Sequence, residues 1–192
     1  MRSRDALASV LAIAIVVALG ACSREERGPT TPFAAQPAVV EDVLDGDSLL
    51  VRIEGGEGPL EHGTARELAL SEIDAPEAED PAGNSECWGA EAARFAEETL
   101  PVGSTVYVVP AQFDPPAEGR LEAFVYTKDN VFFNQLAVTQ GHARSLAEVF
   151  VVRLGAAQSD AQERDRGMWG PPCDYQPSPS PSPPAEPSPA AS

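Results

Sequence analysis

The sequence predicts an α+β domain, a small five-stranded β-barrel carrying about three helices. Three observations predict it. β-rich runs dominate the part of the chain from residue 38 onward, and turn chemistry separates the first two. Runs at helical spacing end in recognisable stop signals. Strands come first and helices are inserted late, an order that fits a closed barrel and not a parallel sheet.

The elements follow in order. "AVVEDVLDGDSLLVRIEG", residues 38–55, holds two β-rich runs around "DGD". "ARELALSEI", Ala65 to Ile73, alternates well enough for a third strand. "GAEAARFAEETL", Gly89 to Leu100, spaces its apolar residues as a helix does, and Pro101 and Gly103 stop it. "STVYVVPA", Ser104 to Ala111, and "RLEAFVYTKD", Arg120 to Asp129, are the fourth and fifth strands. "VFFNQLAVTQG", Val131 to Gly141, is a second helix that Gly141 ends. "EVFVVRLGAAQSDAQERDRGMWG", residues 148–170, is a last helix weakened at Gly155.

The flanks read differently. "MRSR" followed by "ALASVLAIAIVVALGA" is a basic start and a short apolar stretch, a secretory signal pattern. A retained transmembrane helix is the weaker reading, because the stretch is short and has no charge on its far side. It closes in "LGAC", which looks like a bacterial lipobox with Cys22 as the lipidated residue. An ordinary signal with an incidental cysteine is the alternative. Acyl chains on Cys22 would make a stable membrane anchor. This places the domain on the outer face of the bacterial cytoplasmic membrane or in the cell envelope. "SREERGPTTPFAAQP", residues 23–37, reads as a tether. "QPSPSPSPPAEPSPAAS", residues 176–192, is low in complexity and cannot bury apolar surface. The folded domain is expected over residues 38–175.

Of the 3 cysteines, Cys87 and Cys173 fall inside that domain. In an exported protein they are most simply a disulfide, with two separate buried thiols as the alternative. His62 and His142 sit at no spacing that would complete a metal site with them. The chain has 192 residues, with 30 acids against 13 bases and a formal charge of −17. So acidic a chain repels nucleic acid at long range.

The motifs point the other way. "DGDSLLV" (residues 45–51), "IDAPE" (73–77), "GAEAARFA" (89–96), "GRLEAFVY" (119–126), "NQLAVTQGHAR" (134–144) and "AQERDRGMWG" (161–170) stand in one order. Through them the domain resembles the staphylococcal nuclease-like (thermonuclease) family. The resemblance implies a five-stranded OB-type barrel with three helices, and Ca²⁺-dependent cleavage of phosphodiester bonds in DNA and RNA. It implies that Asp47 and Asp74 are metal ligands and that Ala75 offers its backbone carbonyl. Glu77 would position or deprotonate the attacking water, and Arg120 would hold the phosphate. The chemistry is coherent: Ca²⁺ takes several oxygen ligands in loose geometry, and Pro76 stiffens the turn between Asp74 and Glu77.

The sequence departs from the family pattern in three places. The family's second phosphate-holding arginine lies five residues before the metal-binding Asp, and that position is Ala69. Arg66 is nearby, but strand alternation points it to the opposite face; only a bulge would bring it round, and nothing in "RELALSE" signals one. Glu72 adds an acid near the site where the family usually has a small residue. "PPAEGR", residues 115–120, lacks the basic and aromatic residues the family often carries before "GR". Arg144, Arg164 and Arg166 read as decoration of solvent-facing helices. His62 reads as exposed, His142 as surface or packing, Trp169 as a packing residue that pins the last helix onto the barrel, and Trp88 as a shield for the disulfide. Two functions stand: an exported, lipid-anchored nuclease impaired by Ala69, or a catalytically inactive barrel kept as a binding or scaffold module.

Overall fold

The computed structural model describes residues 35–79 and 82–175. Cys22, most of the expected tether and the Ser/Pro tail lie outside the described residues. Among the described residues, seven strands and three helices run in the order β1 (Gln36–Asp45), β2 (Ser48–Ile53), β3 (Ala65–Leu70), β4 (Ile73–Asp74), α1 (Gly89–Thr99), β5 (Thr105–Pro110), β6 (Leu121–Thr127), α2 (Phe133–Gln140), β7 (Arg144–Ser145) and α3 (Val151–Glu163). A 3₁₀ turn at Gly167–Trp169 follows.

Five strands close into a barrel in the order β1-β2-β3-β6-β5, with β5 returning to pair with β1. All neighbours are antiparallel except β3 and β6, which run parallel. The alternation seen in the sequence is the packing pattern. Leu49, Val51 and Ile53 of β2 face the interior with Leu68 of β3, Val106 and Val108 of β5, and Leu121 and Val125 of β6, all buried. Burial of these branched side chains is the main stabilising term of such a barrel.

Two buried amide side chains tie loops to this core. Gln36 is fully buried: its Oε1 accepts the Leu60 N–H at 2.8 Å and its Nε2 donates to the Leu60 carbonyl at 2.9 Å. β1 therefore starts at Gln36, inside the expected tether, because this amide has partners only in the folded domain. Asn134 of α2 is also fully buried. Its Oδ1 accepts the Val125 N–H of β6 at 3.1 Å and its Nδ2 donates to the Ser71 carbonyl at 2.9 Å. One side chain thus fixes α2 against the barrel and against the turn that leads to "IDAPE".

Two elements differ from expectation. The third strand stops at Leu70, because Glu72 takes a left-handed φ of 63° that no strand continues through. Ile73–Asp74 then forms a separate two-stranded pair with Arg144–Ser145. The last helix ends at Glu163, past Gly155, which it accommodates. Asp165 and Gly167, at positive φ, turn the chain into the 3₁₀ segment.

Candidate active site

The "DGD" turn joins β1 to β2 and lies against the turn that follows β4. The backbone N–H of Ala75 donates to Asp47 Oδ2 at 2.9 Å. The Leu70 N–H donates to the Asp47 carbonyl at 2.8 Å, which fixes the end of β3 to the same residue. Gly46 makes the close approach possible: a Cβ there would lie 2.8 Å from Cβ of Ala75 and 2.9 Å from Cβ of Ala92 in α1. The sequence places Asp47 and Asp74 far apart, and these contacts bring them side by side.

Carboxylates gather here. Burial pushes the Asp47 carboxyl up, the Ala75 N–H and the Ser48 hydroxyl pull it back, and the charges of Asp45 and Asp74 push it up again. Glu77 is raised to about 7, first by a hydrogen bond with the Asp45 carboxylate, then by burial and by the charges of Asp45, Asp47 and Glu86. A neighbouring carboxylate favours the protonated form of Glu77, which is why the shift is upward. Glu86 is fastened in place: its carboxylate accepts the Glu77 N–H at 3.1 Å, and its own N–H donates to the Glu77 carbonyl at 2.9 Å. Sequence reasoning missed Asp45 and Glu86 as neighbours of Glu77. The first acid of "DGD" was the available signal for Asp45.

Arg120 approaches from the β2–β3 side. Its Nη2 donates to Ser48 Oγ at 2.7 Å, and Ser48 Oγ donates to Asp47 Oδ1 at 3.1 Å. A weak ion pair with Glu67, at 3.6 Å and largely exposed, steadies it. Ser48 is the register partner of Ala69, so Arg120 reaches over the place where the β3 arginine is missing. Arg66 does not supply it. The β2–β3 register runs unshifted from Arg52↔Ala65 to Ser48↔Ala69, with no bulge. Arg66 is buried on the other face, donating to the carbonyls of Pro116 at 3.0 Å, Ala117 at 3.3 Å and Gly119 at 3.4 Å. It clamps the loop that ends in Arg120.

Arg144 is not a decoration of a solvent-facing helix. It lies on β7 directly opposite Asp74, and its Nε pairs with Asp74 Oδ2. Both side chains are a little over one-third exposed, at 38% and 39%, so a ligand can reach them. They line a cavity of about 200 Å³ with Ala75, Pro76, Glu77, Glu86, Met168 and Tyr175.

Two further readings change and one holds. Arg166 donates to the Thr139 carbonyl at 2.9 Å and to Asp160 Oδ2 at 2.8 Å, joining α2 to α3. Arg164 does lie on the helix surface, paired with Asp160. Glu72 adds no charge to the site: its carboxylate turns away and accepts the N–H groups of Val149 and Phe150 at 2.8 and 2.9 Å, ahead of α3. Its left-handed backbone explains why a small residue suits that position.

Cys87 and Cys173 form a disulfide with Cα atoms 5.7 Å apart. Trp88 and Tyr175 pack beside it with Ala161, Met168 and Trp169, so Trp169 sits on the end of α3 and not on the barrel core. Trp88 Nε1 donates to His142 Nδ1 at 3.1 Å, and the His142 ring stacks on Phe95 at 4.2 Å. His142 is a packing residue, and His62 is exposed.

Among the described residues, no three His, Cys, Asp or Glu side chains converge tightly enough to cage an ion unaided. The donor set still fits a hard divalent cation. Asp47 and Asp74 offer carboxylate oxygens beside the Ala75 peptide, the crowd of acids is in excess of cationic partners, and water can complete so open a shell.

A family model described as staphylococcal nuclease homologue matches residues 67–171, just over half of the chain. The match takes in β3 to the 3₁₀ turn, with Asp74, Glu77 and Arg120, and begins after Asp47. No curated protein matches the chain.

Proposed function

The chain belongs to the staphylococcal nuclease homologue family, and on that premise we propose that it hydrolyses phosphodiester bonds of DNA or RNA in a Ca²⁺-dependent reaction. The observation that carries the proposal is the hydrogen bond from Ala75 N–H to Asp47 Oδ2, which holds the "DGD" turn against the turn that carries Asp74 and Glu77. Asp47 and Asp74 would hold the cation through carboxylate oxygens, with the Ala75 carbonyl as a third ligand. Bound there, Ca²⁺ would polarise the phosphoryl oxygens and carry water close to phosphorus. Glu77, raised to about 7, is poised near neutrality to take the proton of the attacking water. Arg120, held over Asp47 by Ser48, would bind the phosphate and the charge that develops on it.

Ala69 limits the rate. Removing one donor that stabilises transition-state charge costs on the order of a hundredfold to a thousandfold. The enzyme is therefore slower than the same site with an arginine on β3. The N-terminal signal pattern and "LGAC" support an exported, lipid-anchored protein that meets nucleic acid outside the cytoplasm.

A second reading, an inactive barrel used for binding, is favoured by one observation: the Asp74 carboxylate is already paired with Arg144. Cleavage of single-stranded DNA and of RNA by the full chain, with Ca²⁺ and with chelator, separates the two. Cleavage that needs both Ca²⁺ and Glu77 supports the nuclease; none, from folded protein, supports the binding module.

A further inference from the structure

We propose that Arg144 is the second phosphate-holding arginine of this site, acting from β7 in place of the arginine that β3 lacks at Ala69. The inference rests on the nuclease reading and adds a residue to it.

The geometry is bilateral. Asp47 and the Asp74–Ala75 turn are joined by one hydrogen bond. Arg120 stands on the Asp47 side, linked through Ser48 Oγ. Arg144 stands on the Asp74 side, fixed there as its cross-strand partner. A phosphodiester brought to the carboxylate pair would thus be flanked by two guanidiniums, Arg120 from the loop before β6 and Arg144 from β7. Position 69 carries only a methyl group, and the unshifted register keeps Arg66 on the other face.

Charge points the same way. The cavity beside Asp74 is lined by three acids, Asp74, Glu77 and Glu86, and Arg144 is the cation among its lining residues. A phosphate monoanion entering there needs positive charge from the protein as well as from a metal. Arg144 is exposed enough to meet it, and its planar fork suits phosphate oxygens. The pair with Asp74 holds the guanidinium among the residues that line the cavity. A divalent cation on Asp74 and a phosphate on Arg144 would each weaken that pair, so the two ligands favour each other's binding.

The test uses the full chain carrying Glu77→Gln, so that a fluorescent single-stranded oligonucleotide is bound and not cut. Oligonucleotide affinity is measured in saturating Ca²⁺, and Ca²⁺ affinity is measured without oligonucleotide. Arg144→Gln is expected to weaken oligonucleotide binding by about tenfold or more. Its Ca²⁺ affinity should be unchanged or a few-fold tighter, because Asp74 sheds a competing cation. Arg144→Lys, which keeps the charge and guards against loss of fold, should retain part of the oligonucleotide affinity. With Glu77 intact, Arg144→Gln should slow cleavage by about a hundredfold, and Ala69→Arg should restore at least a tenth of the loss.

Equal oligonucleotide binding by the Arg144→Gln protein overturns the proposal. So does a fall in Ca²⁺ affinity as large as that of Asp74→Asn with oligonucleotide binding intact, which would make Arg144 only a buttress for Asp74. A Glu77→Gln chain that binds no oligonucleotide at all in saturating Ca²⁺ would instead remove the nuclease reading, and this inference with it.

Discussion

The backbone N–H of Ala75 donates to Asp47 Oδ2 at 2.9 Å, so two turns with β2, β3 and β4 between them share one hydrogen bond. Gly46 leaves the room for it. Gly46→Ala would press a methyl group to 2.8 Å from Ala75 and 2.9 Å from Ala92. The turns must then part, at a cost of about 1–3 kcal/mol. Urea unfolding should show that loss, and Ca²⁺ titration should show weaker binding together with it.

His142 makes stability depend on pH. Burial, then the charge of Arg94, lowers it from 6.5 to about 4, against a smaller upward pull from Glu91. Trp88 donates to its Nδ1, which requires the neutral ring. The unfolded chain therefore takes up this proton first as pH falls. The stability is complete above about 6.5, is lost progressively below it, and is gone below about 4. The contribution is on the order of 1–3 kcal/mol. Unfolding free energies at pH 7.5 and 4.5 should fall further apart in the parent chain than in His142→Gln, and the ring proton shifts should not titrate near 6.5.

The Cys87–Cys173 disulfide spans 86 residues and ties the start of α1 to the segment carrying Tyr175, a wall of the cavity. Reduction should cost about 2–5 kcal/mol and loosen that wall. Denaturant midpoints with and without reductant measure the first. Peptide mapping after thiol labelling of unreduced, denatured protein should find both cysteines unlabelled.

Glu72 is a cap and not a site residue. Its carboxylate satisfies two N–H groups ahead of α3. Glu72→Ala should cost about 1–2 kcal/mol and leave Ca²⁺ affinity unchanged. A matching loss of Ca²⁺ affinity would place its charge back in the site.

What the sequence made legible was local. The barrel strands and α1 announce themselves through alternation, helical spacing and turn residues, and each runs for six residues or more. β4 and β7 are two residues each and have no period to read. Their pairing is what sets Arg144 opposite Asp74 across 70 positions, so Arg144 looked like one more surface cation. Glu72 misled for a different reason. Its nearness to Asp74 in the chain suggested nearness in charge, but a left-handed φ of 63° turned the side chain toward α3. Asp45 was visible in "DGD", yet nothing local told that its carboxylate would meet Glu77.

We propose that Asp47, Asp74 and Glu77 form a working phosphodiesterase site. Its most direct test is the cleavage of single-stranded DNA and RNA by the full chain in Ca²⁺, beside chelator and beside Glu77→Gln prepared identically. We expect cleavage that stops with chelator and is nearly abolished by Glu77→Gln, while that variant still binds Ca²⁺. Cleavage that persists undiminished in Glu77→Gln, or no cleavage by the folded parent chain, would contradict the account.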